Sequence, residues 1–250
     1  ELHRAGQDSF WPRILKNSFA PVLLKQRFDF VVGNPPWIAW KAMSKTYRAG
    51  TLKVWQSYGI FEKNSYDKKT THDDFGMAVT YVALDQYLKP NGKLMFLLPK
   101  TFIKSTKGGE GFRKFSITRN GQDIPVKVLE VNDFNDVKIF QPKHTVSTIA
   151  LLLQKNDKTL FPMNEWYSWN YKGKKKLKFN AHDDWNVVSK QLNNNVFSAQ
   201  PVDLNNIQTA WLSMPKDELN LAQKALANGS KPVYHARKGI EPAGAKGVYI

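Results

Sequence analysis

Short apolar runs with the length of buried strands recur along the first 155 residues of the chain. They are residues 28–32, 93–99, 125–131 and 146–154. Between the first two runs, helical spacing relates Phe75, Ala78, Val79, Val82 and Leu88, and the stop signal Pro90-Asn91-Gly92 follows. This alternation predicts an α/β sheet with mostly parallel strands. The run 146–154 follows 125–131 without a helical segment, so we expect this strand to be antiparallel.

Two further segments have weaker patterns. Residues 10–26 predict a short helix that breaks at Pro21, because proline interrupts helical hydrogen bonding. Residues 38–72 are polar, aromatic and rich in lysine without clear periodicity. They predict a long loop with at most one short helix, and a loop of this length in a compact domain is usually functional or mobile.

A change of composition after Lys155 predicts a domain boundary. Residues 1–155 carry the α/β pattern, whereas residues 156–250 alternate rings with cations and end in segments rich in glycine and proline. The chain starts at Glu1 and stops at Ile250 within a strand-like run, so we expect it to be a piece of a longer protein. The second region is then a linker with the truncated beginning of a further region.

The net charge indicates the class of partner. The chain has 37 Lys and Arg against 21 Asp and Glu, a charge of +16 and a pI near 9.8. Such an excess favours a polyanion, most often nucleic acid, although a basic surface that only maintains solubility is the alternative. The sequence has no apolar run long enough for a membrane span, no signal-peptide pattern and no cysteine, which fits a cytoplasmic protein.

The stretch FDFVVGNPPWIAW (residues 28–40) places a stiff polar loop directly after the first apolar run. The prolines fix the backbone, so that the Asn34 side-chain oxygen and the Pro35 carbonyl oxygen become two positioned acceptors beside the Trp37 ring. Acceptors aimed at the hydrogens of a conjugated amine favour its pyramidal, nucleophilic form, and the ring can stack on a planar base. The loop predicts alkylation of an amino group; a rigid structural turn is the alternative.

The GNPPW sequence and the segments after it resemble the N6-adenine DNA methyltransferases, particularly the large bacterial restriction–modification type. The resemblance covers about residues 25–155, through DDFGMAVTYVALDQYLKPNGKLMFLLPKTFI, GFRKFSI and VLEVNDFNDVKIFQPKHTVSTIALLLQK. It implies an α/β fold that is the carboxyl-side half of a Rossmann-like, S-adenosylmethionine-dependent methyltransferase domain. The start of a DNA-recognition region would follow this half-domain.

The resemblance also assigns roles to individual residues. The catalytic Asn/Asp-Pro-Pro-aromatic motif of the family is matched by Asn34, Pro35, Pro36 and Trp37. Phe140 would be the second ring that stacks on a flipped adenine, opposite Trp37, and Lys143 would lie near the DNA backbone. A core role for Phe140 and a solvated surface position for Lys143 are the alternatives.

The cofactor loop departs from the family pattern. The family binds S-adenosylmethionine through a glycine-rich loop before the Pro-Pro motif, and no such loop precedes Asn34. Residues 108–112 (GGEGF), with Glu130 further on, offer a circularly permuted alternative. We expect the loop upstream of Glu1, so that this chain alone binds S-adenosylmethionine weakly or not at all and does not methylate. Asp73 and Asp74 are explained by cofactor contact or equally by helix capping.

A dense cationic run in the second region is a candidate DNA contact. It comprises Lys172, Lys174, Lys175, Lys176 and Lys178. These lysines either contact phosphates or form a solvated hairpin tip. We identify no metal site and no nuclease motif, so any nuclease would lie on a domain or subunit outside this chain. The competing functions are a protein-glutamine N5-methyltransferase, which uses a similar loop on an amide nitrogen, and a non-catalytic DNA-binding specificity module.

Overall fold

The computed structural model describes residues 10–61, 73–106, 108–119, 121–134, 137, 140, 146–173 and 182–227. The helices within these residues are α1 (Phe10–Leu23), α2 (Lys45–Ser57), α3 (Phe75–Val82), α4 (Thr101–Lys104), α5 (Trp185–Ser189) and α6 (Lys216–Ala227). The strands are β1 (Phe28–Gly33), β2 (Leu88–Pro99), β3 (Ser116–Arg119), β4 (Gln122–Asp133), β5 (Thr148–Lys155), β6 (Met163–Tyr171), β7 (Leu192–Pro201) and β8 (Trp211–Met214).

The described strands form one sheet in the order β1-β2-β5-β4-β6-β7-β8, with β3 paired to β4. Only the pairs β1–β2 and β4–β6 are parallel, and the other five pairs are antiparallel. The prediction of mostly parallel strands is therefore wrong, whereas the antiparallel direction of β5 is confirmed. Parallel neighbours need a long crossover between them, and the strand–helix alternation that supplies one does not continue after β2.

Two predictions about helices differ from the structure. α1 continues through Pro21 to Leu23, because a proline in the last turn removes few helical hydrogen bonds. α2 occupies thirteen residues of the predicted loop, and its N-terminus is capped by the Ser44 hydroxyl, which accepts a hydrogen bond from Tyr47 N–H. No helix in the described ranges combines the length and hydropathy needed to cross a bilayer.

The stop signal at residues 90–92 lies inside a strand rather than at a helix end. α3 continues as a π-helical turn, Ala83–Tyr87, and β2 begins immediately afterwards at Leu88. The pairing of β1 with β2 shifts register across this point, and Asn91 adopts a φ of 62°. The Pro-Asn-Gly sequence thus forms an irregularity in β2, the kind of bulge that such residues favour.

Aromatic side chains form the centre of the core. Trp55, Trp166 and Trp211 are each 1% exposed or less. Trp40 packs edge-on against Trp55 with ring centroids 5.1 Å apart, and Phe61 stacks on Trp55 at 4.6 Å. Aromatic pairs in these geometries stabilise the fold beyond the burial of their area. These contacts fix α2 to the segment that follows β1.

The sheet continues past the predicted boundary at residue 156. β6 pairs with the last residues of β4, from Val131 opposite Trp166 to Asp133 opposite Ser168, and β7 and β8 extend the sheet further. Residues on both sides of 155 therefore contribute to one sheet, and the division into two domains stays a prediction. Because β1, β2, β4 and β6 all run in one direction, their carboxyl ends lie along one edge of the sheet, called here the carboxyl edge.

Candidate active site

The Pro-Pro loop, residues 34–37, begins directly after β1 at the carboxyl edge. Its predicted location at the end of a strand is confirmed. Asn34 and Pro36 are exposed, Trp37 is half-buried, and Pro35 is buried. The loop thus presents its amide side chain to solvent, while Pro35 is packed against the protein.

Trp37 connects this loop to the neighbouring strand. Its indole Nε1–H donates a hydrogen bond of 3.2 Å to the Leu97 carbonyl oxygen on β2. The ring also contacts Phe140, with centroids 5.3 Å apart and planes at 87°. The structure therefore brings together the two rings that the resemblance assigns to adenine stacking. They touch edge to face, so a base stacked between them requires the rings to separate and turn parallel.

The residues after the loop anchor it to the start of α3. Phe75 N–H donates to the Ile38 carbonyl oxygen at 2.9 Å, and Trp40 N–H donates to the Asp73 carbonyl oxygen at 2.8 Å. Ala39 forms an isolated antiparallel bridge with Asp74. The Pro-Pro loop is held at one end by β1 and at the other by these backbone bonds and the buried Trp40 ring. The backbone of the loop consequently has little freedom to move.

Asp73 and Asp74 are buried carboxylates with structural hydrogen bonds. Asp74 caps α3, because its Oδ1 accepts from Gly76 N–H at 2.8 Å. Burial raises the pKa of Asp74 to about 6, an effect that the hydrogen bond from Gly76 partly opposes. Asp73 Oδ1 accepts from Gly109 N–H at 2.7 Å. Capping therefore accounts for Asp74, and Asp73 connects α3 to a second loop.

That second loop is the glycine segment, residues 108–112, which the sequence offered as an alternative cofactor loop. A Cβ at Gly109 would lie 2.8 Å from the Phe102 carbonyl oxygen, and one at Gly111 would lie 2.4 Å from the Ile60 carbonyl oxygen. Arg113, which is fully buried, donates from Nη1 to the carbonyl oxygens of Phe102 and Gly108. The space beside these glycines is filled by the protein itself, which disfavours the permuted cofactor loop.

Further along the carboxyl edge, two lysines interact with one buried carboxylate. Lys100 Nζ forms an ion pair of 2.6 Å with Asp133 Oδ2, and Trp166 Nε1–H donates to the same oxygen at 3.3 Å. Lys104 Nζ lies 5.1 Å from the centroid of the Trp166 ring, a cation–π contact. The pKa of Lys104 is lowered to about 8, mainly by burial and also by the charge of Lys100, while Asp133 partly opposes both effects.

Sequence reasoning did not single out Lys100, Lys104 or Asp133. Lys100 follows the apolar run 93–99 directly, and Asp133 comes two residues after the run 125–131. The available signal was this position, because polar residues that follow parallel strands meet at one edge of a sheet. Recognising it requires the strand order, which places β2 and β4 on either side of β5.

The predicted lysine run is described only in part. Lys172 is exposed in the turn after β6, and its N–H donates to the Gln191 carbonyl oxygen at 2.9 Å. Nearby, Trp169 packs edge-on against Trp185 with centroids 5.8 Å apart. The remaining predicted contacts lie outside the described residues, namely Lys143, Lys174, Lys175, Lys176 and Lys178. DNA contact by these lysines stays a prediction.

Comparison with known proteins gives three findings. The family model described as Eco57I restriction-modification methylase matches residues 5–140. The Type II methyltransferase M.HincII of Haemophilus influenzae is 30% identical over 146 residues, which are 57% of this chain and 25% of that protein. The Type II methyltransferase M.HindII of Haemophilus influenzae strain Rd is 30% identical over 146 residues, which are 57% of this chain and 24% of that protein. The chain thus spans about a quarter of the length of these curated relatives.

Among solved structures, the ATP-dependent Type ISP restriction-modification enzyme LlaBIII bound to DNA aligns with a TM-score of 0.36 and 13% sequence identity. The alignment covers 66% of this chain and 11% of that one. Within the described residues, no three His, Cys, Asp or Glu side chains are grouped as metal ligands would be.

Proposed function

Because the chain belongs to the Eco57I restriction-modification methylase family, we propose that it is part of a DNA methyltransferase acting on N6 of adenine. The methyl group comes from S-adenosylmethionine, and the target base is flipped out of duplex DNA. The setting is a restriction–modification or related phage-defence system in the cytoplasm, with any nuclease on a domain or subunit outside this chain. The observation that carries the proposal is the exposed Asn34 on an anchored loop at the carboxyl edge.

The chemistry depends on two acceptors. Asn34 Oδ1 and the Pro35 carbonyl oxygen each take a hydrogen bond from the target amine, which withdraws the nitrogen lone pair from conjugation and directs it at the methyl group. S-adenosylmethionine, when bound, supplies that methyl group on an electrophilic sulfonium. Pro35 is buried and Trp37 is bonded to β2, so the backbone that carries both acceptors is held in place before the base arrives. The proton that N6 then loses passes to water, which reaches the exposed Asn34.

The rings on this loop supply the stacking surface for the base. Trp37 is held by its hydrogen bond to the Leu97 carbonyl oxygen. Its contact with Phe140 is an edge-to-face packing of the two rings. Phe140 is therefore the ring that turns aside when adenine enters, and it then packs on the opposite face of the base. Stacking of this kind offsets the stacking that the base loses on leaving the duplex.

The methyl donor belongs, in this proposal, to an upstream part of the longer protein. In the described part of the chain β1 is an edge strand, paired only with β2. Phe30 and Val32 on β1 are 69% and 77% exposed, and α1 exposes further apolar side chains such as Phe19 and Val22. An apolar edge strand is normally covered. A segment that adds to this edge would place its cofactor loop beside Asn34.

The substitution Asn34→Ala in the full-length protein tests the assignment. Loss of one positioned acceptor should reduce methylation of adenine in duplex DNA by about a hundredfold or more, while DNA affinity and thermal stability stay close to those of the unchanged protein. Retained methylation would contradict the proposal. The 250-residue chain alone should bind S-adenosylmethionine weakly or not at all, and micromolar binding by isothermal titration would contradict the upstream location of the donor site.

Two other functions make different predictions in the same assay. A protein-glutamine N5-methyltransferase would label a protein substrate rather than duplex DNA. A non-catalytic DNA-binding specificity module would label neither. The charge of +16 favours DNA as the substrate over protein, and an exposed Asn34 has no evident use in a module that only binds.

A further inference from the structure

Counted over the described residues, Lys100, Lys104 and Asp133 form a cluster at the carboxyl edge with one positive charge in excess. Asp133 is 2% exposed and bonds to Lys100 and to the Trp166 indole. Lys104 lies over the Trp166 ring and is partly buried, as is Lys100. Among the described residues, two partly buried ammonium groups therefore share one carboxylate, with which Lys100 forms the ion pair.

Among the described residues, Asp133 is the one carboxylate that interacts with these two lysines. Burial of a charged amine costs free energy unless a partner compensates it, and Lys100 already provides a countercharge for Asp133. Lys104 adds a second positive charge, which Lys100 repels. A single negative charge bound between the two ammonium groups would neutralise the cluster and remove this repulsion.

The cluster is connected to the Pro-Pro loop through β2 and β4. Lys100 lies three residues after Leu97, whose carbonyl oxygen accepts from Trp37, so the separation along the backbone is about 10 Å at most. On β4, Asp133 is the last strand residue before the segment that contains Phe140, which contacts Trp37. An anion at the cluster would therefore lie at the same edge of the sheet as the ring on which the target base stacks.

We propose that Lys100 and Lys104 bind one backbone phosphate of the DNA strand whose base is presented to Asn34. The ligand is a phosphodiester, and the inference rests on the proposed function. One phosphate contact positions the strand but carries no sequence information, so these lysines contribute to affinity for every DNA sequence. The cation–π contact with the Trp166 ring helps to hold the Lys104 ammonium group in place.

The test uses the full-length protein and a fluorescent duplex, with affinity measured across a range of salt concentrations. Lys104→Met removes the charge and keeps a flexible stem over Trp166, so affinity should fall about tenfold and the slope of log affinity against log salt should decrease by about one. Lys104→Arg keeps the charge and should restore both. Lys158→Met is the matched control, because Lys158 is exposed at the opposite edge and its loss should leave the slope unchanged.

An unchanged slope in Lys104→Met overturns the proposal, and so does an equal loss in Lys104→Arg, because the charge would then not be the cause. If Lys104→Met does not fold, as judged by its melting curve, Lys104→Gln is measured against the same two criteria. Failure of the unchanged protein to bind DNA overturns this inference together with the proposed function. Binding that depends on Lys104, without methylation of adenine, supports the phosphate site and contradicts the proposed function alone.

Discussion

The Pro-Pro loop and the glycine segment are both rich in residues that shape the backbone for a ligand, and the structure uses them differently. In the Pro-Pro loop Pro35 is packed against the protein and Asn34 points into solvent. In the glycine segment the close approach that glycine permits is made by the protein, with carbonyl oxygens of Phe102 and Ile60 in the space that a Cβ would occupy. A glycine indicates that other atoms approach the backbone closely, but it does not show whether those atoms belong to a ligand or to the protein.

Asp73 and Asp74 join the two loops. Asp74 forms the bridge with Ala39 behind the Pro-Pro loop, whereas Asp73 accepts the hydrogen bond from Gly109 in the glycine segment. These two neighbouring aspartates therefore connect the glycine segment to the residues that follow the Pro-Pro loop. Substitutions in the two loops should separate accordingly into those that reduce activity at constant stability, as expected for Asn34→Ala, and those that reduce stability.

The largest effect on stability is expected for Gly111→Ala. The added Cβ would lie 2.4 Å from the Ile60 carbonyl oxygen and 2.6 Å from that of Gly59, and backbone atoms must shift to make room. The free energy of unfolding should fall by about 3 kcal/mol or more, measured by urea or thermal unfolding. Gly50→Ala is the matched control, because nothing lies within 4 Å of its Cβ and α2 should gain up to about 1 kcal/mol.

If Gly111→Ala were as stable as the unchanged protein, the protein would not fill the space beside Gly111. Residues 108–112 would then again be a candidate cofactor loop. Methylation by the full-length Gly111→Ala protein should fall only as far as the folded fraction falls. A loss of activity in a protein that remains fully folded would place the glycine segment in the active site.

The next effect concerns Asp74 and depends on pH. Its folded pKa of about 6 lies above the unfolded value of about 3.9, so the folded state holds the proton more tightly. This contribution to stability is fully present below the unfolded pKa and is lost as the pH rises through about 6. Asp74→Asn keeps a cap oxygen for Gly76 N–H and removes the ionisation. Relative to the unchanged protein, it should gain roughly 2 kcal/mol of stability between pH 4 and pH 7.

Unfolding curves at several pH values measure this difference. Asp74→Ser also retains a cap oxygen without a carboxylate, so it should give the same pH profile at a somewhat different absolute stability. Parallel profiles for the unchanged protein and both variants would show that the buried carboxylate is not the source. Asp74 would then act at the base of the Pro-Pro loop through its hydrogen bonds alone.

The sequence predicted those features that are local. The apolar runs correspond to β1, β2, β4 and β5, and the Pro-Pro loop lies at the end of its strand as expected. Strand direction was not local, because it depends on which strands become neighbours and on the connections between them. The position and length of α2 were not predicted, because Trp55 is its only buried residue and the helix therefore lacks an apolar stripe.

The candidate site likewise combines features that follow from the local sequence with features that depend on the whole sheet. Asn34 and Trp37 are adjacent in the chain, and their arrangement follows from the prolines between them. Lys100 and Asp133 belong to strands separated by β5, and only the sheet order brings them together. The space beside Gly109 and Gly111 is occupied by the carbonyl oxygens of Phe102 and Ile60. The hydrophobic periodicity of the sequence does not predict where these two oxygens lie.

The smallest effect is expected for Trp37→Phe, which keeps a ring for stacking and removes the hydrogen bond to the Leu97 carbonyl oxygen. Stability should fall by only about 1 kcal/mol, the usual net contribution of one hydrogen bond. Because the ring loses its anchor, the full-length protein should methylate about tenfold more slowly at saturating DNA. Trp37→Leu removes the ring as well and should also raise the KM for DNA. If Trp37→Phe keeps full activity while Trp37→Leu loses it, the stacking surface matters and its anchoring to β2 does not.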